Sequence, residues 1–232
     1  MLFRYIFIFF LLSASAFSCP AYAPDSMSET SKCSPDDIDE CGNLFMSMSL
    51  DGVVSIKAFR QAYEGYRKIT NRNRDILTLI DFSKPSTEKR LFVFDMKHKQ
   101  LLYSSLVSHG RNSGENYATS FSNEYGSYKS SLGFYLTETT YNGKNGYSLL
   151  LNGLEEGIND KARERAIVVH GAAYANPSII SNGGRLGRSL GCPALPEKVA
   201  GKIIDTIKGG SVIYIYADKP EYTAQSKFLS EL

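Results

Sequence analysis

AIVVHGAAYANPSIISNGGRLGRSLGCPALPE, residues 166–197, decides how the chain is read. It opens on an apolar β-type run that ends at His170 and passes through Gly171 into a long polar connection. Order returns at GRSLGCPALPE, where Cys192 follows a glycine turn. A buried strand ending in histidine, with a loop that comes back on a cysteine, presents an imidazole and a thiol from neighbouring connections at one sheet edge. From Pro193 the sequence reads as a helix, PALPEKVAGKIIDTIKGG, stopped by Gly209-Gly210, and then as SVIYIYA, a final strand. On this reading Cys192 stands directly before a helix, whose unpaired N–H groups favour a thiolate and receive an oxyanion. The bland alternative is a small buried hydrophobe, and the polar, glycine-rich surroundings argue against it.

Upstream, β-type runs occur at 76–82 (ILTLIDF), 90–96 (RLFVFDM) and 101–110 (LLYSSLVSHG), separated by turn signals that predict a meander. Residues 110–131 are polar and glycine-rich, long enough to be a functional loop. SLGFYLTETT and YSLLLNGL follow on either side of YNGKNG. Before all of these, IKAFRQAYEGYRKI places Ile56, Phe59, Tyr63, Tyr66 and Ile69 at helical spacing, an amphipathic helix for a sheet to cover. Strands dominate and helices flank them, so the expected fold is mainly β with flanking helices, α+β rather than doubly wound. The expected organisation is a signal peptide over 1–23, a polar arm over 24–43, a helical segment over 44–74 and the principal domain over 75–232.

The bulk numbers exclude more than they assign. With 26 basic against 24 acidic side chains the formal charge is +2, which gives no electrostatic reason for a nucleic-acid partner. The N-terminus carries Arg4, then an apolar run and SASAFSCPAYA, the pattern of an export signal too short to span a bilayer permanently. Cleavage after Ala16 or Ala23 fits, and a poor lipobox ending at Cys19 is a third option. Of the four cysteines, Cys33 and Cys41 lie close in the polar arm and are candidates for a local disulfide in an exported chain, two unpaired thiols being the alternative. Cys192 is left over, and an unpaired thiol in an oxidising compartment calls for a role. No CxxC or HExxH pattern points to a metal, and no cofactor is called for.

His98, His109 and His170 are the only candidate bases. His170 leaves its strand toward the loop of Cys192. His109, in VSHGRNSG, ends another strand and is placed either in the same cleft or in the structure beneath it, and His98 sits in a solvated turn. GRSLG, residues 187–191, also fits the G-x-S-x-G elbow of serine hydrolases, but no histidine follows Ser189 and no strand leads into it.

A strand ending in His170-Gly171, a loop, and then Ser189-Leu190-Gly191-Cys192 resembles the L,D-transpeptidases of the YkuD type. The resemblance extends through HGRNSGE, FSNEYGS, SSLGFY, NDKARERAIVVHGA and GRLGRSLGCPAL, roughly residues 75–217. It implies a β-sandwich or open barrel in the periplasm or cell envelope, acting as a monomer without cofactor on peptidoglycan stem peptides. It further implies Cys192 as nucleophile, His170 as base, Gly191 and Cys192 N–H groups at the oxyanion, and Ser189 shaping the loop. The thioester passes to an amine of a second stem or of an outer-membrane lipoprotein, or to water as in an L,D-carboxypeptidase. Two departures stand out: Leu190 replaces a motif histidine, and Pro193-Ala194 replace a pair whose second member is arginine. Arg185 and Arg188 are the candidates to hold the substrate carboxylate in its place, with Tyr174 and His109 as further candidates to line the cleft. A wall-binding protein that keeps the fold without the reaction is the competing class, and a general cysteine peptidase a third.

Overall fold

The computed structural model describes residues 39–229. The export signal, the lipobox cysteine Cys19, most of the polar arm and Cys33 lie outside those residues. Helix α1 (Glu40–Ser47) is capped by the Asp39 carboxylate, which accepts from Gly42 N–H at 2.8 Å. It starts inside the stretch read as an arm because Cys41, Leu44 and Phe45, at i, i+3 and i+4, form a buried stripe. Cys41 has no disulfide partner among the described residues and is 1% exposed, and burial pushes its pKa up to about 11.

Helix α2 (Ile56–Lys68) starts at Ser55, whose hydroxyl accepts from Ala58 N–H at 3.3 Å. It buries Phe59, Ala62, Tyr63 and Tyr66, whereas Ile56 faces water at 44% exposure. Phe59 meets Phe45 and Phe94 edge-on, with ring centroids 5.5 and 5.3 Å apart, tying both helices to the sheet.

Eight strands form one mixed sheet: β1 (Ile76–Asp81), β2 (Leu91–Asp95), β3 (Gln100–Ser105), β4 (Gly133–Gly143), β5 (Gly146–Gly153), β6 (Val168–Gly171), β7 (Ala194–Leu195) and β8 (Val212–Tyr216). Their order is β3-β2-β1-β8-β4-β5-β6-β7. The β1–β3 meander is antiparallel, β8 lies parallel to β1 and antiparallel to β4, and β7 lies parallel to β6. β1 and β8 are buried at every residue. Both faces of these central strands are therefore covered, α2 packing on both and helix α4 (Glu197–Ile207) on β1, β5 and β6. Each fully buried Leu, Ile or Phe contributes about 1.5–3 kcal/mol by leaving water. Short helices α3 (Pro177–Gly183) and α5 (Pro220–Gln225) complete the fold.

The expected strand over 101–110 stops at Ser105, and the chain runs on to join the opposite edge of the sheet. Ser108 N donates to Ala194 O at 2.8 Å, Ser189 N to His109 O at 2.9 Å, and Arg111 N to Ser189 O at 2.8 Å. The two ends of the sheet thereby approach a closed barrel. Arg90, fully buried, fastens this crossing: its Nε and Nη2 donate to Val107 O at 3.0 and 2.8 Å, and its Nη1 donates to Lys84 O at 2.9 Å.

A helix directly after Cys192 is not what forms. Pro193 cannot donate to a helix, Ala194 and Leu195 pair with β6, and α4 begins only at Glu197. The helix N-terminus therefore does not act on the thiol.

Two glycines make the packing testable. A methyl group on Gly65 would lie 2.0 Å from the Phe134 ring, whereas one on Gly201 of α4 would meet nothing within 4 Å. In urea denaturation, Gly65→Ala is expected to lower stability by about 1–3 kcal/mol despite better helix propensity, and Gly201→Ala to raise it by about 0.5–1 kcal/mol.

Candidate active site

β6 is the strand from which the site is built. Its parallel register sets His170 against Ala194, and continuing it back two residues brings Cys192 alongside Val168. The hydrogen bonds agree: Val168 N–H donates to Cys192 Sγ at 3.5 Å, and the thiol donates to Ala166 O at 3.7 Å. Side chains two apart on a strand share a face, so His170 leaves β6 on the same side as Val168, whose N–H reaches the thiol. Ala166 holds its carbonyl in place with φ +53, a left-handed conformation that costs an L-residue roughly 1–2 kcal/mol.

The turn carrying Cys192 is braced from both sides. Ser189 Oγ donates to Cys192 O at 2.6 Å and accepts from Gly191 N at 3.0 Å. Gly191 has φ +129, and a side chain there would meet Lys129 O at 2.9 Å and Ile167 at 3.0 Å, so only glycine fits. From the 110–131 loop, Ser130 Oγ donates to Gly191 O at 3.0 Å while accepting from Gly110 N at 3.0 Å. Gly191 N–H is thus committed to Ser189, and the Cys192 N–H is the donor of the two without such a partner in the turn.

His170 is 4% exposed, and its Nδ1 lies 2.9 Å from Gly171 O. A carbonyl only accepts, so Nδ1 carries the proton and Nε2 keeps a lone pair. Burial lowers the His170 pKa, partly offset by that hydrogen bond. Burial raises the Cys192 pKa, partly offset by Val168 N–H and by the positive charge of Arg165. Both shifts favour the neutral forms, so the resting pair is a thiol and an imidazole rather than an ion pair.

The remaining nominated residues divide by position. Tyr174, half-buried, stands edge-on to His170 with ring centroids 6.4 Å apart. Arg185 and Arg188 both bind Glu115, at 2.9 and 2.8 Å, and Arg188 also donates to Arg111 O and Gly114 O. His109 is 1% exposed with both ring nitrogens occupied: Nδ1 accepts from Arg90 Nη2 at 2.8 Å, and Nε2 donates to Gly114 O at 3.2 Å. Burial and the adjacent Arg90 push its pKa down to about 4, so it is a neutral strut under the loop and offers no free nitrogen to a cleft. His98 is exposed beside Asp95, at 2.8 Å. A separate cavity of about 910 Å³ lies against α1 and α2, lined by Leu44, Tyr63, Tyr66 and Met96 among others, and neither Cys192 nor His170 borders it. Arg90 and Arg165, which set the positions of His109 and of the loop, were not nominated from sequence. Arg90 binds mainly backbone carbonyls and Arg165 binds carbonyls and serine hydroxyls, partnerships with no sequence pattern.

A model of the L,D-transpeptidase catalytic domain family matches residues 51–216, most of the chain. The chain belongs to this family. Among solved structures it is similar to an L,D-transpeptidase from Mycobacterium smegmatis, at 16% identity and a TM-score of 0.37, over 62% of this chain and 59% of that one. It is also similar to L,D-transpeptidase 3 from Mycobacterium tuberculosis, at 13% identity and 0.39, over 62% and 61%. A third is the helical cell shape determining protein Pgp2 from Campylobacter jejuni, at 14% identity and 0.42, over 69% and 57%. The chain therefore spans about three fifths of the length of each. No curated protein sequence matches it.

For a member of this family, the neutral thiol has a direct consequence. Iodoacetamide alkylation of Cys192, followed by peptide mass mapping, is expected to be slow at neutral pH and to climb only above about pH 9, the ordinary thiol value that burial raises. Because burial lowers His170, steps that use it as base are expected to lose activity only below about pH 6.5. A reactive plateau at pH 6–7 would contradict the neutral pair.

Proposed function

We propose that this protein is a peptidoglycan L,D-transpeptidase of the cell envelope, reached by export through residues 1–23, which works by a thioester on Cys192. The observation that supports it most is the β6 register, which ties the Cys192 thiol to the strand of His170 and leaves Nε2 of that histidine with its lone pair. The substrate class comes from the family, whose members act on stem peptides.

In this mechanism His170 Nε2 takes the Cys192 thiol proton as sulfur bonds to the stem carbonyl that carries the terminal D-alanine. The carbonyl π pair moves to oxygen, which the Cys192 N–H receives. Collapse of that intermediate expels D-alanine, whose nitrogen takes the proton from the imidazolium, and the thioester remains. An amine from a second stem or from an outer-membrane lipoprotein then attacks, loses its proton to His170, and releases the thiol. Water in place of the amine gives L,D-carboxypeptidase activity. Arg185 and Arg188 share the single carboxylate of Glu115. One of the two positive charges is thus unmatched, and a stem carboxylate is the anion we assign to it. Tyr174 forms the wall beside His170.

A second reading rests on Leu190, which stands in the place of the motif histidine and is 58% exposed. With an apolar tip there and a neutral buried thiol, the protein binds wall peptides without turning them over. Digested sacculi incubated with the purified protein separate the two, since new cross-links or lost D-alanine in the muropeptides support the enzyme and unchanged muropeptides support the binder.

Intact-mass measurement with a carbapenem supplies the residue test. Wild type is expected to gain one adduct, Cys192→Ala none, and His170→Gln to acylate about 10²–10⁴-fold more slowly. An adduct of equal yield on Cys192→Ala would remove Cys192 from the mechanism.

A further inference from the structure

Cys192 is followed by Pro193 and Ala194, neither of which carries a charge. A guanidinium reaches this turn from elsewhere in the chain. Arg165 stands in the turn before β6, and its Nη1 donates to Ser122 O at 2.8 Å and to Ser131 Oγ at 2.5 Å. Its Nη2 donates to Lys129 O at 2.6 Å and to Ser127 Oγ at 3.4 Å. All four acceptors belong to the 110–131 loop, which covers the Cys192 turn through Ser130 and Gly191.

Arg165 also touches that turn. Its Nη2 lies 3.4 Å from the point where a Cβ on Gly191 would stand. The next residue, Ala166, holds the left-handed conformation and gives its carbonyl to the Cys192 thiol. One strained turn therefore places a cation and the acceptor of the thiol proton against the same cysteine. Among the described residues no carboxylate forms an ion pair with Arg165, and its hydrogen bonds go to neutral oxygens, with Glu124 acting on it only at longer range.

We propose that Arg165 is a positioning residue that clasps the 110–131 loop over Cys192 and sets a fixed positive charge against which the thiolate forms. The inference deepens the transpeptidase reading and rests on it for the use made of the thiolate. When the S–H bond breaks, its electron pair stays on sulfur and its proton goes to His170 Nε2. The anion then faces Arg165, whose protonation and loop bonds do not change. Other titratable groups around the thiol are His170 on β6 and Tyr174 after it. Those around Arg165 are Tyr135 of β4 and Glu124 and Lys129 of the loop. Arg165 is the arginine among them, and its charge partly offsets the burial that raises the Cys192 thiol.

The test measures Cys192 alkylation against pH in the wild type, Arg165→Gln, Arg165→Lys and Ser131→Ala, with loop cleavage by trypsin and alkylation of Cys41 followed in parallel. In Arg165→Gln the Cys192 midpoint is expected to rise by about one pH unit, close to a tenfold slower reaction at fixed pH. Arg165→Lys is expected to restore most of that midpoint while the loop is cut faster, because an ammonium cannot reproduce the forked contacts. Ser131→Ala removes a loop contact and keeps the charge, so it is expected to loosen the loop and leave the midpoint in place. A wild-type midpoint in Arg165→Gln, or a Cys41 midpoint that moves in step with Cys192, overturns the proposal. Iodoacetamide needs no wall substrate, so a negative sacculus assay leaves this result readable, and the reverse also holds.

Discussion

The site depends on hydrogen bonds that tie residues 108–111 to residues 189–194. A sheet with ends at β3 and β7 has two open edges, and open edges leave backbone groups unpaired. Here the chain leaving β3 crosses to the far edge and bonds to the segment on either side of Cys192. Arg90 holds the crossing from below through Val107 and Lys84, and through His109, whose carbonyl anchors Ser189. A buried arginine that binds carbonyls instead of a carboxylate is costly to desolvate, and its pKa falls to about 9. Removing it would leave Val107 O, Lys84 O and His109 Nδ1 without their donor in the interior, where unmet polar groups are expensive.

Charge in the site is arranged so that its resting state is quiet. Cys192 and His170 are both buried, and burial disfavours charge on either. The positive charge nearby belongs to side chains held by other contacts: Arg165 by loop oxygens, Arg185 and Arg188 by Glu115. A buried thiol that stays protonated is poorly reactive toward oxidants.

The sequence made some of this readable and hid the rest for definite reasons. ILTLID, LFVFD and VIYIY announce themselves as strands because each is an apolar β-type run bounded by turn residues. α2 is legible from Phe59, Tyr63 and Tyr66, although Ile56 obeys the same spacing and faces water at the first turn. α1 was hidden by the polar residues around Cys41, Leu44 and Phe45. Residues 193–196 read as the start of a helix because proline is common there, yet strand pairing with His170 and Gly171 takes them first. For the site, residue chemistry named Cys192 and His170, but whether the two share an edge is a matter of register, which no spacing reveals. Arg185 and Arg188 looked unattached because Glu115 is remote in sequence, and Arg165 looked like one charge in a polar run because its partners are neutral carbonyl and hydroxyl oxygens.

The central place of β8 governs how the molecule is assembled. It is the last strand among the described residues, yet it lies between β1 and β4 and joins the meander to the β4–β7 half. Until Val212–Tyr216 is in place, the two halves have no shared sheet and the crossing from β3 to β7 has nothing to hold it in line. The bonds from residues 108–111 and Ser130 to the Cys192 turn are long-range in sequence, and such contacts form late because loop closure precedes their reward. The Cys192 thiol is sheltered only once β8 has joined the two halves, which ties the environment of that thiol to a late step of folding.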